Sequence, residues 1–218
     1  MSDAPGATMR RQPRQGRSEQ RLELILDSLA ALIDEVGYNN LSIAMIAKRA
    51  QMSGPGIYRY FDDLNAIARE LAQRNLSRYL TNVRAMLEED KEEWRDALTG
   101  SVDVYAEMFR TEPGFRWLRL GDSIDKNLID AAENNRSVVA RHTAELFITK
   151  YDVFHRDDLV AHVEAMVEII DSLVARAFID DARGDRFFID EAKRVVVWYL
   201  DEYLERTLPL ATPRTPAP

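Results

Sequence analysis

Apolar residues recur every three to four positions along most of this chain, the spacing of a helix face. Leu22, Ile25, Leu26, Leu29, Ile33 and Val36 form one stripe over residues 18–36, and Gly37 ends it. Ser42 stands where its hydroxyl can accept from the free N–H groups of a first turn. Ile43, Ile46, Ala47 and Ala50 follow on one face. Ser53 offers a second cap, and Pro55 falls in the turn after it, where a missing N–H costs nothing. Ile57 and Phe61 then point back at the preceding helix, with Tyr58 beside them. The pattern predicts two short helices and a tight turn over residues 42–61. Spacing alone leaves two readings open: a helix-turn-helix, whose second helix enters a major groove, or a plain helical hairpin.

The remainder reads as helix after helix. Asp62 and Asp63 suit a helix start by capping and by the helix dipole, which predicts a helix from there to about Leu87. Residues 88–93 form a charged corner, and Trp94 to Arg110 carries Leu98, Val102, Tyr105, Met108 and Phe109 inward. Thr111-Glu112-Pro113-Gly114 breaks that helix. A short aromatic segment follows over 115–121, with 122–132 able to continue it, and further helices are expected over 133–151, 156–181 and 187–208. Alternating β-branched runs with Asn-Gly turns are missing. The expected fold is all-α with about nine helices.

Two of these helices carry surplus apolar surface. Leu159, Val163, Met166, Ile170, Leu173 and Ala177 follow a four-three alternation, while Val160, Val167 and Val174 make a second stripe. Phe188, Ala192, Val195, Val196, Tyr199, Leu200 and Tyr203 make the last helix broad as well. Such a pair suits a two-fold four-helix bundle between subunits, with Leu159, Val163, Met166, Ile170, Leu173, Val196, Tyr199, Leu200 and Tyr203 at the dimer interface. The other reading is that both stripes are internal core.

Composition narrows the chemistry. The chain has 218 residues, 46% hydrophobic and 30% charged, with no cysteine. Disulfides, thiolate zinc sites and cysteine nucleophiles are therefore excluded. No apolar run is long enough to span a bilayer, and the first 17 residues lack the apolar core of a signal peptide, so a cytoplasmic location is expected. Net charge is −8, unevenly distributed: residues 1–60 hold eight Lys/Arg against six Asp/Glu, and the remainder 21 against 31. Arg10, Arg11, Arg14 and Arg17 concentrate the positive charge further. An acidic body with one basic end leaves that end for a polyanion. The Gly-, Pro- and Arg-rich residues 1–17 read as an arm disordered when free, either a solvated tail or a strand that follows phosphates.

Residues 21–61 resemble the DNA-binding domain of the TetR family of bacterial transcriptional regulators. The resemblance rests on Glu35-Val36-Gly37-Tyr38, Leu41-Ser42-Ile43, Ile46-Ala47, Ala50, Met52-Ser53 and Ile57-Tyr58-Arg59-Tyr60-Phe61. It implies a helix-turn-helix DNA-binding domain (18–63) and a helical ligand-binding and dimerisation domain (64–208), set between the basic arm (1–17) and a proline-rich tail (209–218) that composition reads as disordered. It also implies a homodimeric repressor on a palindromic operator in double-stranded DNA, released by a small molecule. Carried onto this sequence, the base readers are Gly54, Pro55, Gly56, Arg59 and Tyr60. Phosphate contacts fall to Ser42, Lys48 and Tyr58, with Ser53 at the turn and Arg14 and Arg17 in the arm.

Two glycines and a proline bring no side-chain hydrogen bonds, so Arg59 is the residue expected to discriminate a guanine. The remaining specificity is expected from DNA shape and the arm. The family usually places a lysine where Leu64 stands, and that phosphate contact is expected to be absent. Trp94, Tyr105, Phe109, Trp117, Phe147, Met166 and Ile170 are candidate walls of the effector pocket, each equally able to be plain core.

No cofactor is expected. His142, His155 and His162 show no metal-ligand spacing, so no metal site is expected either. An enzyme finds little footing, since no glycine-rich phosphate loop and no Gly-x-Ser-x-Gly or His-Glu-x-x-His motif is present. The alternatives are a helical small-molecule-binding or scaffold protein with a degenerate DNA site and, less favoured, an all-helical enzyme.

Overall fold

The computed structural model describes residues 14–88, 93–119, 135–151 and 157–207. Among them the chain forms nine α-helices and one short 3₁₀ turn, with no strand. The helices are α1 (Arg14–Val36), α2 (Ile43–Arg49), α3 (Gly54–Ile57), α4 (Leu64–Leu87), α5 (Trp94–Thr111), α6 (Phe115–Leu118), α7 (Asn135–Tyr151), α8 (Leu159–Ala177) and α9 (Arg186–Thr207). Local chemistry sets several of these starts. Ser42 accepts from the Met45 N–H at 3.3 Å, Ser53 from Gly56 at 3.2 Å and Asp63 from Ala66 at 2.7 Å. Gly37 closes α1 with φ 76°, a conformation that a Cβ disfavours.

Several boundaries differ from the sequence expectation; the helix expected over 156–181, for one, spans only Leu159–Ala177. Helix α1 already includes Arg14, the first described residue, rather than starting at Ser18, and Arg and Gln are good helix formers. Arg14 and Arg17 thus belong to a helix, not to an arm. Helix α3 stops at Ile57 rather than Phe61; two glycines and a proline among its four residues give it weak propensity. The backbone beyond it still turns tightly, with the Tyr60 and Phe61 N–H groups both donating to the Ile57 carbonyl. Residues 1–13, 89–92, 122–132 and 209–218, expected as arm, charged corner, short helix and tail, lie outside the described residues.

Two cores organise the chain. The first joins Ile25, Leu26, Leu29 and Ile33 of α1 with Ile46 of α2, Ile57 and Phe61. It also takes in Ile67 and Leu71 of α4, and Leu118 of α6. The second begins at Leu76 and Tyr79, little more than a turn further along α4, and extends through α5, α7, α8 and α9. The cores therefore do not part at residue 63. Helix α4 runs through both, and α6 inserts Leu118 into the first while Phe115 enters the second.

The stripe assigned to a dimer interface has a different place. Leu159, Val163 and Met166 are each 1% exposed, Val196 and Leu200 0%, and Ile170 and Tyr203 are buried too. A side chain buried within its own subunit has no surface left for a partner, so these seven residues are core between α8, α9 and their neighbours. Only Leu173 and Tyr199 of that set keep partial exposure. The most exposed large apolar side chains on or next to α8 and α9 are Val160, Ile179, Phe187 and Trp198, the last 62% exposed.

Candidate nucleic-acid interface and effector pocket

The turn between α2 and α3 places one polar, exposed edge at the N-terminal end of the molecule. Ala50 closes α2, and Gln51 turns the chain with φ 54°. Ser42, Lys48, Ser53, Pro55, Tyr58 and Arg59 are exposed along this edge, and Gly54 and Gly56 are partly so. Gly56 sits tightly: a Cβ there would meet the Ser53 hydroxyl at 3.1 Å, whereas one on Gly54 would meet nothing. Behind the edge Ile57 and Phe61 hold the turn onto α1 and α4. The pattern thus brings the candidate readers Pro55 and Arg59 and the candidate phosphate contacts Ser42, Lys48 and Tyr58 to exposed positions of one motif.

Tyr60 stands apart from them. It is partly buried against the first core, and its hydroxyl lies against Ser18 and Arg21 of α1. The Ser18 hydrogen bond, more than the Arg21 charge, lowers its pKa. Its position ties the turn after α3 to the start of α1. Arg17 is exposed one residue before Ser18. Arg49, at the end of α2, reaches both Glu35 carboxylate oxygens at 2.7 Å and so faces α1. Leu64 packs against the first core at the start of α4, where it offers no charge to a phosphate.

Hydrogen bonds link this end to the second core. The Gly114 N–H donates to Asp34 of α1 at 2.8 Å, and Asn75 of α4 donates to the Arg119 carbonyl at 2.9 Å. Arg74 of α4 reaches Glu23 and Asp27 of α1 at 2.8 and 2.7 Å. A shift of α4 or α6 relative to α1 therefore has to disturb polar contacts as well as packing.

The second core contains a groove between α4, α5 and α7. Tyr79, Leu80, Val83, Leu98, Leu146 and Phe147 line much of it, and its volume is about 190 Å³. A smaller void of about 20 Å³ lies between α4, α5, α7 and α8, against Tyr105, Arg136, Ile170 and Asp171; Tyr79 lines both spaces. Of the candidate pocket walls, Phe147 faces the groove, while Tyr105 and Ile170 face the void. Trp94 meets the Phe147 ring edge-on at 6.2 Å. Phe109 and Met166 are buried packing. Trp117 is 55% exposed, beside the end of α1.

The polar centre of this core has no counterpart among the residues expected from the sequence. Asp171 is 5% exposed and takes a hydrogen bond from Tyr105 at 2.6 Å. Arg119 reaches it at 2.5 Å and Arg136 at 2.8 Å, and Arg136 also holds Glu168 at 2.6 Å. A buried carboxylate without such partners would be costly. Burial, and then the Asp171 charge, push the Tyr105 pKa well above the usual tyrosine value. Arg119 has φ 47°, so this network ends on a strained residue. The available signal was an aspartate directly after the buried stripe position Ile170, where an unpaired charge has no reason to stand.

No group of three or more potential metal ligands occurs among the described residues. His155 lies outside them. No helix among them is long and apolar enough to cross a membrane.

A helix-turn-helix carried on a larger helical body with an internal groove defines a DNA-binding regulator. The comparisons agree. Residues 25–74 match the family model described as "Bacterial regulatory proteins, tetR family", and residues 92–204 match "Tetracyclin repressor-like, C-terminal domain". The chain belongs to the TetR family of transcriptional regulators, and the enzyme reading falls with that assignment. A TetR-family transcriptional regulator from Streptomyces coelicolor is 36% identical, with 84% of this chain and 98% of that one covered and a TM-score of 0.72. The fatty acid degradation regulator FadR of Bacillus halodurans shares the fold at 19% identity (83% and 94% covered, TM-score 0.62). RolR, solved with resorcinol, shares it at 19% identity (90% and 99% covered, TM-score 0.57). The uncharacterized HTH-type transcriptional regulator YobS of Bacillus subtilis is 27% identical over 103 residues, 47% of this chain, and the match spans about half (51%) of YobS.

Proposed function

We propose that this regulator is a homodimeric repressor of a palindromic operator, released when a small molecule occupies the groove between α4, α5 and α7. The observation that carries this reading is the course of α4. Its first half is core to the helix-turn-helix, and its second half supplies Tyr79, Leu80 and Val83 to the groove wall. A ligand that favours one position of α4 therefore favours one spacing of two recognition edges, and only such differential binding can shift affinity for DNA. The neighbour solved with resorcinol supports a small-molecule effector for this architecture.

In this reading Arg59 reads a base, and Ser42, Lys48 and Tyr58 hold phosphates. Gly54 and Gly56 let the backbone approach the groove floor. Dimerisation uses the outer faces of α8 and α9, where Val160, Phe187 and Trp198 remain exposed, with Ile179 in the bend after α8. The test is selection of bound duplexes from a random pool, with wild type and Arg59→Ala in parallel. A palindromic consensus that loses information at one position per half-site in the variant is expected. Absence of any enriched sequence overturns the reading.

A further inference from the structure

We infer that the effector is a neutral, mostly apolar molecule of about one ring with a single hydroxyl, and that the hydroxyl docks on Asp171 and Tyr105. This inference rests on the groove being the effector site. Size sets the body: a cavity of about 150 Å³ accommodates a benzene, and this groove is about 190 Å³. The groove walls are largely aliphatic and aromatic, through Leu80, Val83, Leu98, Leu146 and Phe147. The void behind Tyr79, about 20 Å³, has room for one small polar group. Tyr79 lines both spaces and packs edge-on against Tyr105 at 5.6 Å, so its ring is the side chain a ligand spanning the two has to displace.

Hydrogen-bond accounting sets the head group. Tyr105 has committed its proton to Asp171, so its oxygen faces other groups only as an acceptor. Asp171 receives hydrogens from Tyr105, Arg119 and Arg136, and is an acceptor in every one of these contacts. Arg136 already spans Glu168 and Asp171. Toward Tyr105 and Asp171, a head group entering this void therefore has to bring a hydrogen. A hydroxyl does so; a carboxylate brings none, and places a second negative charge beside Asp171. Through Arg119 the contact reaches Asn75 of α4, the helix that carries the DNA-binding end.

Isothermal titration of the full-length protein with 4-propylphenol, propylbenzene and 4-propylbenzoate tests this. The phenol is expected to bind roughly tenfold or more tighter than either analogue, the scale of one hydrogen bond to a charged acceptor. In Asp171→Asn that preference is expected to collapse while propylbenzene binding persists. Should that variant not fold, Tyr105→Phe decides: it leaves a charged Asp171 oxygen unpartnered where a neutral hydroxyl stood, so the phenol preference is expected to grow, and a preference equal to or below that of wild type overturns the inference. Equal binding of phenol and hydrocarbon, tighter binding of the benzoate, no binding of any of the three, or a preference indifferent to Asp171→Asn each overturns the inference. Duplex selection run alongside separates the two readings. Phenol preference without operator binding leaves the site and removes the repressor; operator binding without phenol preference does the reverse.

Discussion

Gln51 holds φ 54° in the turn between α2 and α3, a conformation that costs a residue with a Cβ on the order of 1–2 kcal/mol. Glycine avoids that strain but loses more backbone freedom on folding. Gln51→Gly is therefore expected to be neutral or stabilising by up to ~1 kcal/mol, and the β-branched Gln51→Val destabilising by ~1–2 kcal/mol, in urea unfolding. Loss of stability in the glycine variant would show that the Gln51 side chain holds the turn. A second residue-scale prediction concerns alkaline pH. Burial pushes the Tyr79 pKa up to about 12, and Tyr105 is raised well above its usual value. An unfolded tyrosine ionises near ~10, so the native state holds the extra protons above that pH. For Tyr79 the stabilisation is complete below pH ~10 and is lost as pH rises toward about 12, at about 1.4 kcal/mol per pH unit, and Tyr105 acts in the same direction. Tyr79→Phe is expected to flatten the decline measured by chemical unfolding at pH 9 to 12; an unchanged slope counts against burial as its cause.

At the scale of elements, α6 is four residues long yet joins the two cores. Gly114 precedes it with φ 72°, and a Cβ there would meet the Ala30 carbonyl oxygen of α1 at 2.9 Å. Both the dihedral and the contact are with backbone, which has little room to give. Gly114→Ala is expected to cost about 2–4 kcal/mol, and to speed hydrogen exchange in α6 and the facing turn of α1. A thermal midpoint unchanged from wild type would show that α6 does not carry the junction. Trp198 makes the matching case on the outer face of α9: Trp198→Glu is expected to yield a folded monomer in sedimentation, since the side chain is 62% exposed in the subunit. What was legible in the sequence follows the same division. Ser42, Ser53 and Asp63 announce their helices because a cap is local chemistry. The α8 stripe announced an apolar face but not what covers it, and Leu159, Val163 and Met166 cover the subunit's own interior. Tyr60 and the Asp171 centre were hidden for a related reason. Asp171 and Arg119 are 52 residues apart, and no periodicity encodes a pairing across three helices.

The whole molecule sets how DNA is held against its own charge. With the body beyond residue 60 strongly acidic, affinity has to come from the few cations at the N-terminal end. On the recognition edge Lys48 and Arg59 are exposed, while Arg49 is engaged with Glu35. Leu64 adds no charge. Few phosphates are thus neutralised by the folded edge of each subunit, and Arg10 and Arg11 in the N-terminal segment become a large share of the total. Each phosphate contact contributes about 0.9 to the slope of log affinity against log salt. Removing residues 1–13 from both subunits deletes four arginines, so the slope is expected to become shallower by about 3–4. Fluorescence anisotropy with a selected operator, over about 50 to 200 mM salt, measures it. A slope untouched by the truncation would place all phosphate contacts on the folded edge, and Arg59 together with DNA shape would then have to supply the whole of the specificity.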